Sequence, residues 1–309
     1  MNLLRISLFG GVCVTRCEKA EHQMSSAALT PTAQGLLAYL ALYRHRVHPR
    51  DVLSELFWGD HTNEQAKGCL NTALWRLRRV IEPDPLPRGT YLLTNLNGDV
   101  AFNSQSDYWL DVAELEDAIK RILAQPVQLI AEADARATEV ALDLYKGELL
   151  EGFHDDWAIR ERERLHCLYI NGLAHLAAYY KLHNDLGRGI HCCQRILALD
   201  PLREDIHREA MRFFSRGGQR AMAAQQYETC RLMLDQELGI EPMLETRALY
   251  AQVLAQTEPV EQPALRQAFI QADHEKVPAL QQALTALKVA QLQLHQVMQV
   301  VEQAMQRSE

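Results

Sequence analysis

No stretch of the 309-residue sequence reaches the ~18 uninterrupted apolar residues of a membrane-spanning helix, so no membrane segment is expected. The opening MNLLRISLFGGVCV carries one basic residue, its apolar run is broken by Arg5 and Ser7, and no small-residue cleavage site follows; it reads as strand, not leader. The seven cysteines are odd in number and scattered at 13, 17, 69, 167, 192, 193 and 230, which points to a reducing cytoplasm. The phosphate-cradling pattern G-x-x-x-x-G-K-[ST] is absent, and Gly187-Arg188-Gly189 reads as a turn between repeats. No metal is expected either. Neighbouring helical residues such as His191, Cys192 and Cys193 point about 100° apart and do not converge on one ion. His154-Asp155-Asp156 lacks a partner nucleophile and reads as a helix start, so neither an enzyme nor a cofactor is expected.

Excess positive charge is also missing, for the formal net charge is −8. It is unevenly divided. Residues 1–100 hold eleven Lys/Arg against nine Asp/Glu, and the remainder 21 against 31. Only the first third is not strongly repelled by phosphates. Hydrophobic residues make up 48% and charged residues 23%, enough for buried cores, and the length suits more than one domain.

What is present reads as an ordered series of elements. Residues 3–15 form two short strands hinged at Gly10-Gly11, followed by a polar connection from Glu18 to Ala28. Thr30-Pro31 starts a helix, Pro49 a second, and a third runs from about Asn63 to Ile81, stopped by the prolines of EPDPLPRG. TYLLTNLNGDVAFN then places two β-rich runs about Asn97-Gly98, a hairpin signal. Strands, three helices and a hairpin make a winged helix-turn-helix. From Asp111 the pattern is helical. Gly189, Cys193 and Ile196 recur as Ala223, Tyr227 and Cys230, each 34 positions on, the period of tetratricopeptide hairpins. The expected fold is mostly α with a small β part: a winged helix-turn-helix at 1–105, tetratricopeptide-like helices at 106–256, a proline-bearing linker at 257–278 and a C-terminal helix at 279–309.

The segment NTALWRLRRVIE sets three arginines into four positions. On a helical wheel Leu70, Leu74, Leu77 and Ile81 form one core stripe. Gly68, Thr72, Trp75, Arg76 and Arg79 lie opposite, with Asn71 on one flank and Arg78 nearer the core edge. No carboxylate stands between Gln65 and Ile81. A cation-rich helical face with an outward tryptophan, third before a hairpin in an otherwise acidic chain, fits the major groove of DNA, where Arg reads guanine and Asn reads adenine.

LSELFWGDHTNEQAKGCLNTALWRLRRVIE resembles the winged helix of response-regulator-type transcription factors. ALDLYKGELLEGFHDDWAIRERERL and LGIEPMLETRALYAQVL resemble the bacterial transcriptional activation domain. Together, over residues 3–255, they are similar to the Streptomyces antibiotic regulatory protein family in its short form. The resemblance implies an activator that binds direct repeats in double-stranded promoter DNA and recruits RNA polymerase. It places Thr72, Trp75, Arg76 and Arg79 against the groove and Asn95–Asp99 in the wing. With Lys67, Asn71 and Asn97 added, the candidate DNA contacts are Lys67, Asn71, Thr72, Trp75, Arg76, Arg79, Asn95 and Asn97. Arg88-Gly89-Thr90-Tyr91 departs from the family, where glycine more usually precedes the tyrosine. A different class of function stays open beside this: a helical-repeat scaffold for a protein or small ligand, with the winged helix as a docking surface.

The family gives no guidance after 255. There Leu280, Leu284, Leu287, Gln291, Leu294, Met298, Val301 and Met305 alternate steps of four and three, a coiled-coil seam that would make the protein a homodimer. Folding back to cap the last repeat is the other reading of that helix.

Overall fold

The computed structural model describes residues 3–18, 21–24 and 29–255. The expected linker at 257–278, the C-terminal helix and its coiled-coil seam lie outside the described residues.

The chain opens with β1 (Leu3–Ser7) antiparallel to β2 (Cys13–Glu18), Leu4 facing Arg16 and Ile6 facing Val14. Alternation buries Leu4 and Ile6 and leaves Arg5 outside. Two further strands were not apparent in the sequence. β3 (Glu21–Met24) pairs with β2 inside the stretch expected to be a polar connection. Glu21-His22-Gln23-Met24 has no apolar alternation, so its pairing rests on main-chain hydrogen bonds that leave no pattern.

α1 (Pro31–Leu42) starts where Thr30 accepts from the Ala33 amide at 3.4 Å, with proline in the first turn. α2 (Arg50–Trp58) and α3 (Asn63–Ile81) follow as the sequence suggests. β4 (Leu92–Thr94) and β5 (Val100–Phe102) form the hairpin, with Gly98 at φ +87° in its turn. His48 and Val100 exchange main-chain hydrogen bonds of 2.8 and 2.9 Å, fastening the α1–α2 connection to the hairpin. The second unforeseen strand, β6 (Tyr108–Leu110), runs parallel to β1 and completes a sheet of order β3-β2-β1-β6. At three residues it is too short to show a period.

The helical half comprises α4 (Asp111–Leu123), α5 (Glu132–Leu142), α6 (Asp156–Leu182), α7 (Leu186–Leu199), α8 (Glu204–Arg216), α9 (Arg220–Leu238) and α10 (Leu244–Ala255). Gly187–Gly189 lies in the first turn of α7 rather than in a connection, because Asp185 caps that helix by accepting from the Arg188 amide. The repeat positions Gly189, Cys193 and Ile196 of α7 and Ala223, Tyr227 and Cys230 of α9 are all buried. A methyl group on Gly189 would stand 2.4 Å from the Phe213 ring, so α7 and α8 approach as closely as glycine permits.

The two halves are stitched together within one compact unit, residues 1–254. The Leu8 and Phe9 amides donate to the Asp111 carboxylate at 2.7 and 3.1 Å, and residues 8–10 exchange main-chain hydrogen bonds with 148–151. Tyr43, just past α1, donates to Glu161 of α6 at 2.8 Å, and Trp157 packs edge-on against Tyr39. Burial and the Glu161 carboxylate push the Tyr43 phenol up to about 12, so the hydroxyl remains a donor at neutral pH.

Candidate nucleic-acid interface

The Thr62 amide donates to Gln65 at 3.3 Å at the start of α3, half of a capping box. From there Leu70, Leu74, Leu77 and Ile81 are buried, and these four residues fix which face remains outside. Lys67, Gly68, Asn71, Thr72, Trp75, Arg76 and Arg79 are exposed. Trp75 is 56% accessible, and the Arg79 guanidinium lies 4.9 Å from its ring centroid. That cation–π contact orders both side chains and leaves the guanidinium edge available for hydrogen bonds. Among the described residues, neither Arg76 nor Arg79 forms an ion pair.

Arg78 does different work. Its Nη2 donates to the Leu92 carbonyl at 3.1 Å and to Thr94 Oγ1 at 2.7 Å, and its Nε is 3.6 Å from Glu82. Glu82, nearly fully buried, accepts from the amides of Gly89 (3.2 Å), Tyr91 (2.7 Å) and Leu92 (2.8 Å). One acid–base pair thus fixes the wing against the end of α3. Burial first, then the neighbouring Arg88 and Arg50, lower the Arg78 pKa, while Glu82 opposes them.

These three arginines line a recess of about 590 Å³ between α3, the wing and the loop after α3. Arg50, Arg78, Arg79, Arg88, Asn71, Trp75 and Thr94 contribute to its wall. Arg50 and Arg88 were not among the residues singled out from the sequence. Arg50 sits at the start of α2 and Arg88 in a proline-rich loop, and only the packing of α2 and that loop on α3 brings them alongside. Neither position carries a periodic signal.

The remaining sequence candidates are placed as follows. Lys67 pairs with Asp51 at 3.1 Å, both well exposed, an arrangement that an arriving phosphate can replace. The Thr72 hydroxyl donates back to the Gly68 carbonyl at 3.0 Å. Asn71 accepts from Arg50 Nη2, so its amide oxygen is engaged within the fold. Asn95 is engaged too: it donates to Asp99 Oδ2 at 2.9 Å and accepts from the Asp99 amide at 2.8 Å. Asn97 is exposed on the turn. The arrangement therefore brings together Thr72, Trp75, Arg76 and Arg79 on one open face, with Arg50 and Arg88 beside it. Bidentate donors on a rigid helix next to a cationic recess can take base edges and phosphates at once.

No helix among the described residues is long and apolar enough to cross a membrane. Residues 24–95 match the family model of the transcriptional regulatory protein C-terminal domain, and residues 110–254 that of the bacterial transcriptional activator domain. Regulatory protein AfsR of Streptomyces coelicolor is 28% identical over 73% of this chain and 22% of its own length. Regulatory protein AfsR of Streptomyces griseus is 27% identical over 84% of this chain and 26% of its own. The chain thus spans about a quarter of the length of those two relatives. Transcriptional regulatory protein MoaR1 of Mycobacterium bovis is 23% identical, with 74% of this chain and 73% of that one covered. The fold is also that of Mycobacterium tuberculosis EmbR, solved in complex with a low affinity phosphopeptide, at a TM-score of 0.61 and 19% identity over 91% of this chain and 72% of that one. A winged helix built around α3 and followed by a bacterial transcriptional activator domain places the chain in the Streptomyces antibiotic regulatory protein family of transcriptional regulators.

Proposed function

We propose that this protein is a cytoplasmic transcriptional activator that binds repeats in promoter DNA through α3 and recruits RNA polymerase through its helical half. The observation that carries this reading is the pair Arg76 and Arg79, exposed on a helix whose opposite face is wholly buried, with no carboxylate among the described residues satisfying either. Their base-reading partners are Thr72 and Trp75, while Arg50, Arg88 and Lys67 supply phosphate contacts. Asn95 and Asn97 act through the wing, Asn95 by shaping its turn. Asn71 contributes by holding Arg50 or, when Arg50 swings to a phosphate, by reading adenine. The acidic composition of residues 101–309 and the hairpin repeats of the helical half suit a protein partner better than DNA. Homodimerisation through 279–309 would set two winged helices on adjacent sites, which raises avidity without new contacts.

A salt titration of binding to a duplex selected from a randomised library tests the reading. Affinity should fall steeply with salt, with a log–log slope of about −0.9 per phosphate neutralised. A protein that enriches no duplex at low salt would leave the scaffold reading in its place. Sedimentation of the full chain against one ending at Pro278 tests the dimer: the same association state in both contradicts it.

A further inference from the structure

The tip of the wing carries a residue with no part in the fold. Leu96 is 106% accessible, more than any other large apolar side chain among the described residues. Single exposed leucines are ordinary on protein surfaces, but this one stands on a turn braced from several directions. The Asn95 amide donates to the Asp99 carbonyl at 3.1 Å and the Gly98 amide to the Asn95 carbonyl at 3.0 Å. The Asn95 and Asp99 side chains close the same loop twice more. Arg50 then donates to the Gly98 carbonyl at 3.2 Å, and Arg78 to Leu92 and Thr94 at the base of the hairpin. The tip is therefore held in fixed register with α3.

Charge points the same way. From Gly89 to Trp109 the chain contains no lysine or arginine, and the acid of the turn, Asp99, is engaged by Asn95. A wing without cations cannot use the electrostatic attraction of a narrow minor groove. The chemistry it does present is one isobutyl group beside the exposed amide of Asn97. Apolar wedges of this kind enter the minor groove and partly unstack a base step, and side-chain amides read the adjacent edges.

We infer that Leu96 is a specificity-determining wedge that the wing inserts into the minor groove beside the site held by α3, favouring flexible pyrimidine–purine steps there. The inference rests on the reading of α3 as the DNA-contacting helix. Unstacking is easiest at TA and CA/TG steps, so the preference arises from deformability and not from hydrogen bonds. Because Leu96 is fully exposed among the described residues, substitutions there leave the fold intact.

The test uses the full chain, with Leu96→Ala and Leu96→Arg variants, on single-site duplexes selected from a randomised library by the unmodified protein. The selected duplexes should carry a pyrimidine–purine step on the wing side. Leu96→Ala should bind them roughly tenfold more weakly, lose the preference for that step and keep the parent melting temperature. Leu96→Arg should regain affinity with a salt slope steeper by about one unit, since a cation is welcome in the same groove. Unchanged single-site affinity and preference in Leu96→Ala would overturn the inference. So would a loss confined to duplexes holding two sites, which would assign Leu96 to a neighbouring copy of the protein. Arg76→Ala, assayed on the same duplexes, separates the two claims: a loss there alongside an unaffected Leu96→Ala leaves the α3 reading standing and removes the wedge.

Discussion

Arginine is common to both halves of the molecule, but its surroundings differ. In the helical half Arg164 lies within hydrogen-bond reach of Glu116 and Glu161, Arg195 of Asp143, Arg203 of Asp205, Arg212 of Glu209 and Arg231 of Glu228. On α3, Arg76 and Arg79 face outward without such partners among the described residues, and Arg78 is turned inward to a buried acid. A guanidinium already beside a carboxylate offers a phosphate little net attraction, whereas one on a carboxylate-free face keeps its full charge for a partner. The distribution of acids, more than the number of arginines, distinguishes a binding face from a self-neutralised one.

The largest expected effect compares a buried pair of the first half with an exposed pair of the second. Glu82→Ala leaves the half-buried Arg78 without its counter-ion and three backbone amides without their acceptor, and should destabilise the protein by about 3–5 kcal/mol. Glu228→Ala, which removes the exposed partner of Arg231, should change stability by less than about 1 kcal/mol. Urea denaturation of both variants checks the ratio, and equal losses would erase the distinction.

The junction between the halves yields a pH effect. Burial raises the Asp111 carboxyl to about 6, against the opposing hydrogen bonds from the Phe9, Leu8 and Val112 amides. A folded-state pKa above the unfolded value means that the native protein binds the proton more tightly. The associated stabilisation is fully present below about pH 4 and is lost as pH rises through 6, a change of about 3 kcal/mol from this group. Asp111→Asn should remove that component, read as the difference between variant and parent in denaturation at pH 4.5 and 7.5. Identical pH profiles would contradict it.

Gly189→Ala comes next. Its new methyl group would meet the Phe213 ring, and the overpacking should lower stability by about 1–3 kcal/mol in thermal unfolding. An unchanged melting temperature would mean that α7 and α8 separate more easily than their contact implies. Lys67→Ala should have the smallest effect: no loss of sequence preference, and a salt slope flatter by about one unit.

The parts of this picture legible in the sequence were those with a period or a stop signal. Leu70, Leu74, Leu77 and Ile81 announce both α3 and its outward face, and the prolines after it mark its end. The 34-residue recurrence from Gly189 to Ala223 announces the repeat helices. Edge pairing is silent by comparison, since β3 and β6 are held by main-chain bonds and carry too few residues for a pattern. The roles of Asn71 and Asn95 were legible only as chemistry: an amide can read adenine, but it can equally hold Arg50 or brace a turn, and the surrounding fold decides. Arg50 and Arg88 reach the recess through tertiary packing and leave no local mark.

The central claim is that Arg76 and Arg79 serve DNA while the carboxylate-paired arginines of the helical half serve the fold. Binding of one selected duplex by the Arg76→Ala/Arg79→Ala chain, set against the Arg231→Ala/Arg247→Ala chain, tests it most directly. The first pair should lose about 1–3 kcal/mol of affinity for each side chain that meets a base edge, with relaxed preference at those base pairs. The second should bind as the parent does. Equal affinities in the two double variants would contradict the account.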